Sequence, residues 1–375
     1  MPVLEELLRL MVQKNGSDLY LTVGSPPVMK IDGKAVSLGE ERLKPAQSLA
    51  LAREMLGVER LHEFQQEKEV NLALSIPGIG RFRVNGFFQR SELGFVLRAI
   101  KTEIPTLEQL RMPPVLKDLS MTPRGLVLFV GATGSGKSTS LAAMIQYRNA
   151  NSAGHILTIE DPIEYLHQNI RSIVNQREVG IDTLSYEKAL ENALREAPDV
   201  ILIGEVRSRG TMEHAVAYAE TGHLCMSTLH ANNANQAIER IVNFFPDERK
   251  KQLLMDLSLN LRAVVSQRLL PLRGGGRIAA MEVLINTPAI ADLIYKGEVE
   301  LIKEAMARPN EVGMQTFDQS LVRLFGEGLV EYGDAIRAAD SQNDLRLAIK
   351  MECMRRGLDD PGASAESSQG WRISS

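Results

Sequence analysis

The sequence predicts an α/β protein in two parts, a small α+β domain followed by a larger domain built on a parallel sheet. Three observations carry this. The apolar run Gly125-Leu-Val-Leu-Phe-Val130 passes directly into Gly131-Ala-Thr-Gly-Ser-Gly-Lys-Ser-Thr139, which reads as strand, glycine-rich turn and helix start, the pattern of a phosphate-binding loop. Downstream, short apolar strands alternate with helical stretches, as in a parallel sheet covered on both faces. Upstream, hairpin, helical and strand-like runs follow one another in the mixed order of an α+β domain.

The elements follow in order. Residues 2–14 have helical apolar spacing and stop at Asn15-Gly16. Asp18–Val23 reads as a strand, broken by Pro26-Pro27. Val28–Ile31 and Lys34–Leu38 form a hairpin around Asp32-Gly33. Two helices are expected at Pro45–Leu56 and Val58–Glu67, then strands at Val70–Ile76, Gly80–Gln89 and Gly94–Ala99. The first domain is therefore placed at 1–103. Four prolines between 104 and 124 mark a linker with brief helical pieces. Strands are expected at Leu126–Val130, His155–Ile159, Val200–Gly204 and His223–Thr228. Helices are expected at Lys137–Asn149, Tyr186–Arg195, Gly210–Glu220 and Ala234–Asn243. The stretch from Pro246 to Arg356 reads as mostly helical, with a hairpin at Arg268–Val283 around three glycines. The second domain is placed at 125–356. Residues 357–375, rich in Ser, Gly and Ala and holding the only tryptophan, Trp371, read as a disordered tail.

Composition narrows the classes. Apolar content of 44%, charged content of 24% and a net charge of −4 are ordinary for a globular protein and show no basic nucleic-acid-binding domain. No run of 18 apolar residues suggests a membrane span, and the N-terminus lacks the pattern of a signal peptide. Two isolated cysteines, Cys225 and Cys353, make neither a disulfide framework nor a zinc site. A cytoplasmic protein is expected.

The chemistry centres on the loop. Gly131, Gly134 and Gly136, with Thr133, Ser135 and Thr139, let backbone N–H groups close around phosphate oxygens, and the following helix adds its N-terminal dipole. Lys137 can reach the β- and γ-phosphates, and the Ser138 hydroxyl suits Mg²⁺. Two acidic clusters lie where α/β sheets bind ligands, at strand C-termini: Glu160, Asp161 and Glu164 after one strand, and Glu205 after another, with Gly204 where many ATPases place an aspartate. Taken alone, either cluster would read as a helix N-cap or solvated strand end; behind a phosphate loop a functional role is favoured. His223 and His230 border one strand, and His230 could sense the γ-phosphate or the acids. Metal ligation by this pair is the weaker alternative, since no further ligand has helpful spacing. Arg81 and Arg83 alternate along one strand and Arg98 lies on the next. They are either a solvated strand edge or, in an oligomer, fingers that complete a neighbour's γ-phosphate site.

Four boxes now stand in order: the phosphate loop, Thr158-Ile-Glu-Asp-Pro-Ile-Glu164, Ile203-Gly-Glu205, and Glu220-Thr-Gly-His223 with Thr228-Leu-His230. Together they resemble the secretion-type hexameric ATPases, and among these the type IV pilus retraction ATPases of the PilT/PilU group, from residue 1 to about residue 350. The resemblance implies a PAS-like N-terminal domain, a RecA-like ATPase domain with a helical C-terminal extension, and a homo-hexameric ring using ATP and Mg²⁺. By the resemblance, Glu164 would be the water-activating base, Glu205 the acid near Mg²⁺, His230 a γ-phosphate sensor, and Arg81, Arg83 or Arg98 the fingers. It also implies a PilT-like retraction ATPase partner and an inner-membrane platform protein, which would hold the chain peripherally at that membrane. The related assembly ATPases carry a four-cysteine zinc insertion, which two cysteines exclude here. The group's Ala-Ile-Arg-Asn-Leu-Ile-Arg-Glu motif is replaced by Ala289-Ile-Ala-Asp-Leu-Ile-Tyr-Lys296, and Arg207-Ser-Arg-Gly210 lacks an acid after its first arginine. Both departures resemble the accessory PilU branch. Two other classes stay open at this point: a ring subunit acting mainly as an interaction partner of a catalytic ATPase, and a nucleic-acid translocase, which the charge disfavours.

Overall fold

The computed structural model describes residues 4–31, 33–308 and 312–357. The chain forms two units. The first comprises the described residues within 1–103, 162–167 and 177–185; the second holds the other described residues.

In the first unit, α1 (Leu4–Gln13) buries Leu4, Leu7, Leu8 and Met11 and turns Glu5, Glu6 and Arg9 outward, the one-sided spacing of a helix lying on a core. It is followed by β1 (Asp18–Thr22), β2 (Val28–Ile31), β3 (Lys34–Ser37), α2 (Pro45–Glu67), β4 (Glu69–Ile76), β5 (Gly80–Gln89) and β6 (Glu92–Ala99). The strands make one antiparallel sheet in the order β3-β2-β1-β6-β5-β4. The two expected helices at 45–67 are a single element broken at Gly57, whose φ of 69° and ψ of −176° leave the helical region; only glycine takes such a pair without strain. Phe64 of α2 packs on Phe88 and Phe95 at centroid distances of 5.2 and 5.8 Å, seating the helix on the sheet. On β5, Phe82 and Val84 face this core while Arg81, Arg83 and Asn85 face away. Alternation along a strand requires this.

The second unit contains α3 (Val115–Met121), β7 (Gly125–Val130), α4 (Lys137–Asn151), β8 (Gly154–Glu160), β9 (Ser172–Glu178), α5 (Tyr186–Ala193), β10 (Val200–Ile203), α6 (Arg209–Glu220), β11 (Leu224–Leu229), α7 (Ala234–Asn243), α8 (Asp247–Asn260), β12 (Leu261–Pro271), β13 (Arg277–Ile285), α9 (Pro288–Lys296), α10 (Ile302–Ala307), α11 (Phe317–Gly326), α12 (Tyr332–Ala338) and α13 (Gln342–Arg356). A seven-stranded sheet runs β13-β12-β7-β11-β10-β8-β9. Strands β12, β7, β11, β10 and β8 are mutually parallel, and β13 is antiparallel to β12. Every residue of β7, β10 and β11 is buried, as expected for strands covered on both faces. Helices α11 and α13 enclose a separate core around Phe317, Leu321, Leu345 and Ile349.

Two elements differ from the sequence expectation. Strand β9 was not anticipated: Ser172-Ile-Val-Asn-Gln-Arg-Glu178 has little apolar content, and as an outermost strand with Ile173 exposed it lacks the signature of the inner strands. The hairpin strand β12 begins at Leu261 rather than Arg268, because Ala263 to Ser266 pair with β7 and extend the parallel sheet. A sequence reading cannot see that pairing, since Leu-Arg-Ala-Val-Val follows α8 with no breaker between them. The expected tail at 357–375 lies outside the described residues beyond Gly357.

The sheet is fastened to α7 by a buried carboxyl. Glu282 of β13 is 2% exposed, and one of its oxygens accepts from the Ala234 N–H at 2.7 Å and from Ser266 Oγ at 2.9 Å. Burial pushes its pKa up from the ordinary 4.5, with Asp340 adding repulsion and Lys303 opposing it. The folded chain therefore holds this proton to higher pH than the unfolded chain does. The stability so gained is complete below about pH 4.5 and is lost as pH rises through the folded value. Glu282→Gln keeps an acceptor and removes the titration. Its melting temperature relative to the parent should rise as pH is raised above about 4.5 and level off once the folded carboxyl ionises, in calorimetric scans; a constant difference would mean that Glu282 does not titrate differently in the folded chain.

Candidate functional site

Strand β7 delivers the chain into the phosphate loop. Gly136 closes the loop at φ 90°, ψ 14° immediately before α4, a left-handed conformation that favours glycine. Lys137 opens the helix, is 9% exposed, and donates from Nζ to the carbonyl oxygens of Gly131 at 2.8 Å and Ala132 at 3.0 Å. The ammonium thus lies across the mouth of its own loop. Thr133 and Gly134 form the exposed tip, while Ser138 and Thr139 are half-buried on the first turn of α4. The Ser135 hydroxyl is buried without a hydrogen-bond partner. An orphaned donor inside a ring of loop amides suits a phosphate oxygen.

Parallel pairing brings the neighbouring strand ends level with this loop. Leu229 of β11 pairs with Val130, Ile203 of β10 with Ser227, and Ile203 with Ile159 of β8. His230, Glu205 and Glu160 therefore emerge on the same edge of the sheet as the loop. Glu205 has both oxygens engaged: Oε1 lies 2.9 Å from His230 Nε2, and Oε2 accepts from Arg207 Nε at 2.7 Å. Arg207 also lies 4.0 Å from Asp161. Its hydrogen bond to Glu205 raises its already high pKa. Glu160 accepts from Thr158 Oγ1 at 2.7 Å and from Gln176 Nε2 at 3.2 Å. Beside these acids stands Tyr186, whose pKa is pushed well above its ordinary value by burial and then by Asp161.

Gly204 has a steric reason. A Cβ there would come within 2.9 Å of Tyr186 Oη, 3.2 Å of Glu160 Cα and 3.3 Å of the Ile159 oxygen. A side chain at this position would require Tyr186 or the β8 backbone to shift, and the acid of this strand stands one residue further on, at Glu205.

The remaining expected residues belong elsewhere. His223 precedes β11, where its carbonyl accepts from the Gly125 N–H, and its ring lies 3.1 Å from Thr221 Oγ1 and 3.2 Å from the Tyr218 oxygen. Because β11 and β7 are parallel, this is the opposite end of a six-residue strand, about 20 Å from the loop. The structure does not bring His223 to the phosphate loop of its own unit; the ring caps α6. Glu164 and the arginines are in the first unit. Glu164 is exposed on a segment that pairs with Lys101 through Tyr165. The N–H of Ile163, its neighbour, donates to Glu178 Oε2 at 3.4 Å. Glu178 is 1% exposed; burial raises its pKa, opposed by that amide and by Arg83 and Arg81. Arg81 lies 3.9 Å from Asp182. Arg98 stands opposite Arg83 in the sheet and bonds Asp18 at 2.7 Å while remaining largely exposed.

Sequence reasoning missed Arg207 and Glu178 as working members of these clusters. Arg207 carried a signal, two residues from Glu205. Glu178 carried none, since its strand was not recognised. Among the described residues no group of three His, Cys, Asp or Glu side chains forms a metal cage. The oxygen donors on hand, the Ser138 hydroxyl and the Glu205 carboxylate, are of the kind Mg²⁺ takes alongside water and phosphate oxygens.

From the crowding at Gly204, Gly204→Ala should force Tyr186 or the β8 backbone aside at a cost of roughly 1–3 kcal/mol and displace Glu205. A chemical-unfolding midpoint equal to the parent's would show that the strand end absorbs a methyl freely.

Comparison with known proteins agrees with the geometry. The family described as "Type II/IV secretion system protein" matches residues 64–283. The chain is 60% identical over 348 residues to the "Type IV pilus ATPase PilU" of Pseudomonas aeruginosa, covering 92% of this chain and 91% of that protein. It is 43% identical over 330 residues to the same organism's "Type IV pilus retractation ATPase PilT", covering 88% and 96%. The crystal structure of "the Pilus Retraction Motor PilT and Bound ADP" superposes with a TM-score of 0.85 at 41% identity, over 92% of this chain and 99% of that one. With its phosphate loop, its row of acidic strand ends and relatives matched nearly end to end, the chain belongs to the type II/IV secretion ATPase family, within the group of the pilus ATPases PilU and PilT.

Proposed function

We infer that the chain is an ATP-hydrolysing motor subunit of type IV pilus retraction, of the PilU kind. The observation that carries this reading is the shared edge of the parallel sheet, where the phosphate loop, Glu205 and His230 are held level by strand register. Lys137 would exchange its loop carbonyls for the β- and γ-phosphate oxygens of ATP. Ser138 and Glu205 would hold Mg²⁺, which supplies charge neutralisation at the phosphates. His230, whose Nε2 lies 2.9 Å from Glu205 Oε1, would report the γ-phosphate through that pair. Glu164 is the proposed base that orients and deprotonates the attacking water.

Assembly as a hexameric ring is proposed with it, and the arginines of β5 and β6 are the proposed fingers for a neighbouring subunit. Arg81 and Arg83 share one face of β5, so they would enter a neighbour's site together. Within its own subunit Arg98 is held to Asp18. Dependence on a PilT-like partner ring is supported by α9, where Ala291 and an exposed Tyr295 replace both arginines of the retraction motif. No helix among the described residues is long and apolar enough to cross a membrane. Contact with the inner membrane would therefore run through a platform protein of the pilus machine.

Two experiments test the reading. Lys137→Ala should lose tight ATP binding in calorimetry, since the missing charge-assisted contacts amount to a few kcal/mol. Glu164→Gln should still bind ATP but hydrolyse it roughly 10²-fold more slowly. Parent-like turnover of Glu164→Gln would move the base to another carboxylate.

Subunit mixing tests the fingers. A Lys137→Ala subunit combined with an Arg81/Arg83/Arg98 triple-alanine subunit should regain hydrolysis where an intact pocket meets intact fingers, because a finger arginine is worth on the order of 10³-fold in rate. Mixed rings that form by mass measurement and stay inactive would remove the trans assignment.

A further inference from the structure

Strand β12 lies beside β7 with Ser266 opposite Val130. The next residue along, Gln267, therefore falls beside Gly131, the first residue of the phosphate loop. Gln267 is 2% exposed. Its backbone oxygen lies 2.6 Å from the point a Cβ on Gly131 would occupy, and its Nε2 lies 2.7 Å from the corresponding point on Gly136. Its Oε1 accepts from Ser140 Oγ at 2.7 Å, on the first turn of α4, and the same hydroxyl lies 3.1 Å from the Gly136 oxygen. One residue thus touches the first glycine of the loop, the last glycine of the loop and the helix that follows.

Packing alone does not ask for glutamine. The residues before it, Ala263, Val264 and Val265, are apolar and fully buried, and leucine would fill much the same volume without the cost of burying an amide. A buried amide pins its surroundings by direction as well as volume, here through the Ser140 hydroxyl that its oxygen accepts from.

We propose that Gln267 is a positioning residue for the phosphate loop: it fixes the separation of Gly131 and Gly136 and the start of α4, and so holds the loop amides in their phosphate-receiving arrangement. The proposal rests on the reading that nucleotide phosphates bind at residues 131–139. It also places the neighbouring Ser266 in context. Ser266 faces the other way along the strand and shares the Glu282 oxygen with the N–H of Ala234, four residues after His230. Adjacent residues of β12 thus hold the loop on one side and the turn following His230 on the other.

The test uses ADP binding by calorimetry together with thermal melting, on Ser140→Ala, Gln267→Leu and the double variant, with Lys137→Ala as reference. Ser140→Ala leaves the buried Gln267 amide oxygen without its partner and should melt lower, whereas Gln267→Leu leaves the Ser140 hydroxyl its bond to the Gly136 oxygen and should melt closer to the parent; the double removes both partners and should regain much of the Ser140→Ala loss. Affinity should behave differently. ADP binding should weaken about tenfold in Gln267→Leu and stay weak in the double, a loss equivalent to one well-placed hydrogen bond. Ser140→Ala, the smallest change, should show the same direction with its fold intact. Affinity that recovers in step with melting temperature would overturn the proposal and make Gln267 a packing residue. Parent-like affinity in Gln267→Leu while Lys137→Ala is weakened would overturn it alone. Parent-like affinity in both would overturn the nucleotide site and this inference with it.

Discussion

Parallel pairing of β7 with β11 is the constraint on which the second unit depends. Six consecutive residue pairs, from Leu224 opposite Gly125 to Leu229 opposite Val130, fix the two strands with no slip. A shift of one residue would turn every buried side chain of two fully buried strands to the wrong face. It would also move His230 relative to the loop. Because β10 is registered on β11 and β8 on β10, a single alignment sets the loop, His230, Glu205 and Glu160 on one edge. The precision of the polar cluster is therefore inherited from apolar packing several residues away. The Arg207 hydrogen bond to Glu205 and the close approach of His230 then hold side chains whose backbone positions are already determined.

The first unit works on a different footing. Its antiparallel sheet has one face on the core of Phe64, Phe82 and Phe95 and the other face polar. That second face carries Arg81, Arg83 and Asn85, the kind of row that an enzyme uses when charge must be presented at fixed spacing. Glu178 and Asp182, brought in from later in the chain, stand near these arginines and temper them. Arg81 and Arg83 are half-buried, and the nearby carboxylates offset part of their charge.

Much of this was legible in the sequence, and the reasons are physical. The inner strands β7 and β10 are continuous apolar runs and β11 is mostly apolar, so their type and limits could be read within a residue or two. The loop was legible because its geometry demands particular residues at particular spacings. Position along a strand was legible in part: Glu205 and His230 follow apolar runs and so had to emerge at strand ends. What escaped depended on pairing between distant segments. His223 bordered the right strand but at its wrong end, a distinction that only strand direction resolves. Strand β9 is too polar to announce itself, and Glu178 was hidden with it. Gln267 sat in a stretch expected to be helical, and its closeness to Gly131 follows from β12 joining the sheet beside β7, which no local pattern encodes.

The crowding at Gly204 also bears on how such a site can change over generations. The tyrosine hydroxyl at 186 and the backbone of β8 occupy the space any side chain at 204 would need, so the two positions are not free to vary independently. A side chain at 204 needs a few tenths of an ångström of give in the β8 backbone as well as a shift of, or a smaller residue at, position 186. A smaller residue there, arriving first, would strip a buried hydroxyl from beside the acids while nothing yet replaced it. Glycine at 204 and tyrosine at 186 are therefore a coupled pair, which a change at either one alone would disturb.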